Sequence, residues 1–182
     1  LIPALTMQSF ADEKQRRTIE FLTTKPLTDI QIVMGKYLAC FALVIFAILP
    51  TAIYYYSIVQ LGSPVGNIDS GAVLGSYIGL FLLAGVFTAI GIYTSSLTEN
   101  IIVAFILSTF LCFIFYWSFD FLSALPVFYG KWDDLVKYFG IEYHYDNISK
   151  GRIDSRDVIY FLSLISLFVW MTLSTLEKRK WQ

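Results

Sequence analysis

The sequence predicts an all-α polytopic membrane protein, and three observations carry that reading. First, 57% of the 182 residues are hydrophobic, 18% aromatic and only 15% charged. A soluble domain of this length cannot hide so much apolar surface. Second, no Asp, Glu, Lys, Arg or His occurs in residues 37–68, 70–98, 100–119 or 158–176. At roughly 1.5 Å per residue each run is long enough to cross a hydrocarbon core of roughly 30 Å as a helix. Third, the runs lack the apolar–polar alternation of barrel strands, and backbone groups in lipid must pair internally. Four spans follow, at about 37–59, 72–94, 101–119 and 158–176.

Taken in order, the chain opens with Leu-Ile-Pro-Ala-Leu-Thr-Met7, which reads as the last turns of an apolar segment. We therefore expect the sequence to be the C-terminal part of a longer protein. Gln8–Lys36 is polar and basic, wedged against long uncharged stretches. Within it Thr18–Thr24 is expected as a short helix that Pro26 stops. Thr28-Asp-Ile-Gln31 has the form of a capping box, with Leu27 and Ile32 at staple positions, so the first span helix should start at about Asp29. Pro50 should kink that helix in its outer third. Gly71, Gly75 and Gly79 recur at four-residue spacing, as do Ala104, Ser108 and Cys112. Such stripes let helix backbones approach closely, inside one fold rather than between two copies. Tyr54-Tyr55-Tyr56 and Tyr116-Trp117 fall where an aromatic belt belongs. The long loop 120–157 is expected to contain short helices at Trp132–Phe139 and Tyr145–Lys150, the latter ended by Gly151, and Asp154 should cap the last span. Its aromatics, Phe121, Phe128, Tyr129, Trp132, Tyr138 and Phe139, suit a segment lying on the outer leaflet.

Four crossings place 8–36, 95–100 and 177–182 on one side, with 60–71 and 120–157 on the other. The first set holds Lys or Arg at 14, 16, 17, 25, 36, 178, 179 and 180; the second at 131, 137, 150, 152 and 156. The positive-inside rule makes the first side cytoplasmic. The net charge of −1 offers no electrostatic footprint for nucleic acid. Cys40 and Cys112 lie inside apolar runs and read as small lipid-buried residues rather than as a disulfide or metal pair.

Catalytic chemistry is not legible. The one histidine, His144, falls in the outer loop and reads as a polar loop residue rather than a base. Gly35-Lys36 lacks the upstream glycine of a phosphate-binding loop and is followed by Tyr37. The four runs carry no charged group with which to bind a coupling ion at mid-depth. A transporter of this kind must borrow its free energy, and the basic segment 8–36 is where a cytoplasmic ATPase could push.

Two blocks of sequence then resemble the permease subunits of type-2 ABC exporters. One is Phe10-Ala-Asp-Glu-Lys…Thr18-Ile-Glu-Phe-Leu…Lys25-Pro-Leu-Thr-Asp29…Gly35-Lys36; the other runs from Tyr143-His-Tyr-Asp-Asn to Tyr160 and is followed by a span and the tail Glu177-Lys-Arg-Lys-Trp181. Within that family the chain is most similar to the gliding-motility branch. The resemblance implies a six-span permease whose first span and most of the second precede this sequence, with no cofactor in this chain and ATP and Mg on a partner. It implies as partners an ABC ATP-binding subunit, a second permease subunit (identical or related) and an accessory membrane protein, in a bacterial inner membrane. It places a coupling helix at Arg17–Pro26: Ile19 and Leu22 would anchor it, Glu20 and Lys25 would make polar contacts, and Arg17, Thr18, Thr24 and Pro26 would complete the interface. Relatives commonly have Gly where this chain has Arg17, which is expected to alter how that helix begins. The competing readings are a non-transporting membrane scaffold and an ion channel or secondary carrier.

Overall fold

A computed structural model describes residues 1–18, 27–62, 69–123 and 137–179. The described residues form eight helices and no strand: α1 (Ile2–Thr6), α2 (Gln8–Gln15), α3 (Asp29–Ile48), α4 (Thr51–Leu61), α5 (Ser70–Leu97), α6 (Ile101–Ser123), α7 (Ile141–Ser149) and α8 (Ser155–Arg179). Four stretches are long and apolar enough to cross a membrane, Asp29–Leu61, Ser70–Leu97, Ile101–Ser123 and Ser155–Lys178. Each overlaps one of the four charge-free runs, and three extend past its run to take in charged residues at the helix ends, Lys36, Asp120 and Asp157 among them.

The helix ends obey the local chemistry of the sequence. Thr28 accepts from the Gln31 N–H while the Gln31 side chain accepts from the Thr28 N–H, completing the capping box at the start of α3. Leu49 and Pro50 interrupt the helical ladder and separate α3 from α4. Asp69 accepts from the N–H groups of Gly71 and Ala72, and Asp154 from that of Arg156, so each caps the span it precedes. Gly151 ends the α7 segment at φ +80°, a conformation that favours glycine. That helix begins at Ile141, four residues earlier than expected. Most of the expected helices Thr18–Thr24 and Trp132–Phe139 lie outside the described residues.

The core is organised around α5, which packs against α1, α2, α3, α6, α7 and α8. Its buried positions include Leu83, Val86, Ala89, Ile90 and Ile92, joined by Phe10, Val33, Tyr37, Phe161 and Phe168 from its neighbours. Small residues set how closely those neighbours approach. A Cβ at Gly75 would lie 2.3 Å from the Ile148 carbonyl, one at Gly79 3.3 Å from the Tyr145 ring, and one at Gly91 2.0 Å from the Thr6 hydroxyl. Gly71 lies against Gly151. Ala104, Ser108 and Cys112 are buried positions of α6. In contrast α4 buries no residue; the Thr51 hydroxyl at its start lies 3.0 Å from that of Tyr77 on α5. The outer aromatics Phe121 and Phe139 are exposed.

Candidate functional site: the basic knob and its anchors

Residues 1–18 pack as a knob at the end of the bundle where α3 begins and α5 ends. α1 and α2 meet at a bend at Met7, which has helical backbone angles but supplies no side-chain cap for α2. The first N–H groups of a helix have no partner within it. Here Ser95 of α5 fills the role from another part of the chain. Its hydroxyl accepts from the N–H of Phe10 (2.9 Å) and Ala11 (3.0 Å) and donates to the Met7 carbonyl (2.9 Å). Phe10, Ala11 and Ser95 are fully buried, so water cannot substitute for that hydroxyl.

Lys36, about two turns into α3, closes the second anchor. Its ammonium donates to Glu13 Oε1 (2.6 Å) and to the Ser9 carbonyl, and sits 4.7 Å from the centre of the Phe10 ring. The ion pair is mostly shielded, with side-chain exposures of 20% and 28%, so it escapes much of the screening that weakens surface pairs. Lys14 reaches the Ser96 carbonyl at the end of α5. Knob, α3 and α5 are thus tied by charge-assisted and buried hydrogen bonds on either side of the segment 19–26.

Arg17 terminates α2 in a Schellman motif. The Thr18 N–H donates to the Glu13 carbonyl (2.9 Å) and the Arg17 N–H to the Lys14 carbonyl (3.1 Å). That closure needs a left-handed residue after the cap, and Arg17 has φ 55°. Arg17 thus sets where α2 stops, while the helix whose start it was expected to alter lies outside the described residues. Of the expected coupling residues, Arg17 and Thr18 are described and exposed, whereas Ile19, Glu20, Leu22, Thr24, Lys25 and Pro26 lie outside the described residues. Ser95 and Thr6 were not anticipated. The only sequence signal was Thr94-Ser95-Ser96, a polar patch at a span end.

The opposite end of the bundle also departs from expectation. His144 is not an ordinary loop residue but 1% exposed, with Nδ1 2.6 Å from Asp157 Oδ1 and Nε2 2.8 Å from the Tyr138 carbonyl. Because α8 starts at Ser155, Asp157 belongs to the last spanning helix, whose end therefore carries a buried acid. Nearby, a cavity of about 310 Å³ is lined by Tyr116, Asp120, Glu142, Tyr143, Tyr145 and Asp146, among others. Burial pushes the Glu142 carboxyl up, with repulsion from Asp120 and Asp146 adding to it.

A family model described as ABC-2 family transporter protein matches residues 1–177 of this chain. No curated protein and no solved structure gives a match.

Proposed function

This chain belongs to the ABC-2 transporter family, and from that premise we propose that it is the permease of an ATP-driven exporter moved through the segment at Arg17–Pro26. Membership makes it a membrane component of an ABC transporter and implies association with a separate ATP-binding subunit. ATP and Mg are held by that subunit and none by this chain. The knob faces the cytoplasm and the α7 end the extracytoplasmic side of a bacterial inner membrane, as the basic clusters beside the span ends indicate.

The observation that carries the coupling role is the pair of anchors. A segment that only filled a loop would need no link to the spans. Here the residues flanking 19–26 are fixed to α5 through Ser95 and to α3 through Lys36. A push on the segment reaches two spans directly, and a second permease subunit, identical or related, would rock against them. The similarity of the two sequence blocks to gliding-motility permeases supports a role in surface motility or secretion, alongside an accessory membrane protein. Copurification tests the reading. An ATP-binding subunit should accompany the intact chain, and Glu20→Ala and Arg17→Glu should weaken that association. Full retention by both variants would refute it.

A further inference from the structure

We propose that His144 and Asp157 form a one-proton site that latches α7 onto the last span. Both ring nitrogens of His144 face acceptors. The Tyr138 carbonyl can only accept, so Nε2 must carry a proton. Between Nδ1 and Asp157 Oδ1, 2.6 Å apart, there is room for one proton, carried by either partner. Remove it, and a bare nitrogen lone pair faces a carboxylate. Add a second to Oδ1, and two protons face each other. The bond therefore depends on that shared proton and is lost when it departs, and the pair is shielded, with side-chain exposures of 1% and 7%.

What the bond holds is specific. His144 sits on α7 and Asp157 in the first turn of α8, and the imidazole lies 4.0 Å from the Tyr160 ring in a stacked arrangement. Tyr160 in turn donates to the Phe139 carbonyl (2.6 Å), so the approach to α7 is fastened at both Tyr138 and Phe139. The rings of Tyr138 and Tyr143 complete the surroundings of the imidazole. Other charged groups on the packed elements are Asp120 of α6, Glu142 and Asp146 of α7, with Asp146 paired to Lys150, and Arg156 of α8; Lys137 lies just before α7. The residues of α5 carry none, its cap Asp69 apart. Asp157 is the carboxylate in contact with the ring, so its shared proton sets the latch. The site answers to the pH of the compartment that end faces, the extracytoplasmic one under the topology proposed above.

The test uses the chain with its companion subunits in nanodiscs. His144 is the single histidine of this sequence, so imidazole ¹⁵N signals assigned by their loss in His144→Phe report the state of both ring nitrogens. Hydrogen exchange of the α7 amides, corrected for its intrinsic pH dependence, reports docking. As the pH is raised until the ¹⁵N signals report departure of the shared proton, α7 exchange should quicken roughly ten- to hundredfold, the loss expected for a charge-assisted hydrogen bond. Asp157→Asn supplies the matched control. Its amide can donate to Nδ1 of a neutral ring while Nε2–H still binds Tyr138, so docking should persist and its alkaline loss should disappear. Unchanged α7 protection while the Nδ1–Asp157 proton departs would overturn the proposal. That wild-type measurement decides even if Asp157→Asn fails to assemble, and an Asp157→Asn profile identical to wild type would overturn it as well.

Discussion

Replacing Arg17 by glycine should stabilise the knob, although it removes a cation and a large side chain. A left-handed conformation costs an L-residue roughly 1–2 kcal/mol, and Arg17 holds φ 55°. Glycine relieves that strain but gains freedom in the unfolded chain, which takes back roughly 0.5–1 kcal/mol. Arg17 is exposed and makes no side-chain hydrogen bond or ion pair within the described residues, so little else changes. The net gain lies between about 0 and about 1.5 kcal/mol, equivalent to a rise in midpoint of at most roughly 6 °C for a chain of this size. Locally it should slow exchange of the Arg17 and Thr18 amides, which close the Schellman motif, by roughly two- to fivefold.

Arg17→Ala separates strain from charge. Alanine keeps the Cβ that makes the conformation unfavourable and loses the same guanidinium. If the left-handed backbone is what matters, glycine exceeds alanine by about 0.5–1 kcal/mol, and asparagine falls between them. Equal exchange and equal midpoints for the glycine and alanine variants would refute the reasoning. The same pair addresses function: if the arginine is retained for contact with the ATP-binding subunit, both variants weaken copurification alike while only glycine tightens the knob.

Three further outcomes follow from the packing. Ser95→Ala leaves the buried N–H groups of Phe10 and Ala11 without a partner, which should cost about 1–3 kcal/mol and speed proteolysis within residues 1–18. Gly91→Ala drives a methyl into Thr6, where the hydroxyl would stand 2.0 Å away; the overpacking should cost about 1–3 kcal/mol, and Thr6→Ala should restore part of it in a double-mutant cycle. Glu142→Gln should raise stability at neutral pH by less than about 1 kcal/mol. The sign follows from the raised carboxyl: the folded state binds its proton more tightly, so the wild type loses stability as pH rises and the difference vanishes in acid, where both states are protonated.

The spans were legible because lipid tolerates no compromise: a charge-free run of the right length has few other uses. Local signals were equally plain. The capping box at Thr28 and Gln31, the break at Pro50 and the left-handed Gly151 each act within a few residues of themselves. What escaped reading acts across the fold. Ser95 caps a helix 84 and 85 residues away in sequence, and nothing in a lone serine announces that. His144 and Asp157 are 13 residues apart, a spacing that implies contact only once α7 turns back onto α8. Arg17 was noticed as a departure from glycine, but its meaning depends on where α2 stops.

One helix joins the features at the two ends. α5 runs 28 residues from Ser70 to Leu97, about 42 Å at roughly 1.5 Å per residue, with no proline. Near its end, Gly91 receives Thr6 and Ser95 caps α2; near its start, Gly75 and Gly79 receive the backbone and side chains of α7. In its middle Gly85 receives Tyr37 of α3 and Ile165 of α8. From Gly75 to Ser95 is 20 residues, or about 30 Å, spanned by unbroken hydrogen-bonded helix. α3 cannot serve the same purpose, because its ladder stops at Leu49 and Pro50 and α4 beyond is hardly packed. Under the proposed coupling, a displacement of the knob would be carried along α5. It arrives at α7, the helix whose seating depends on the His144–Asp157 proton. Glycine marks the main contacts along that route: a Cβ at Gly75 would meet the α7 backbone, and one at Gly79, Gly85 or Gly91 would press on the side chain seated there.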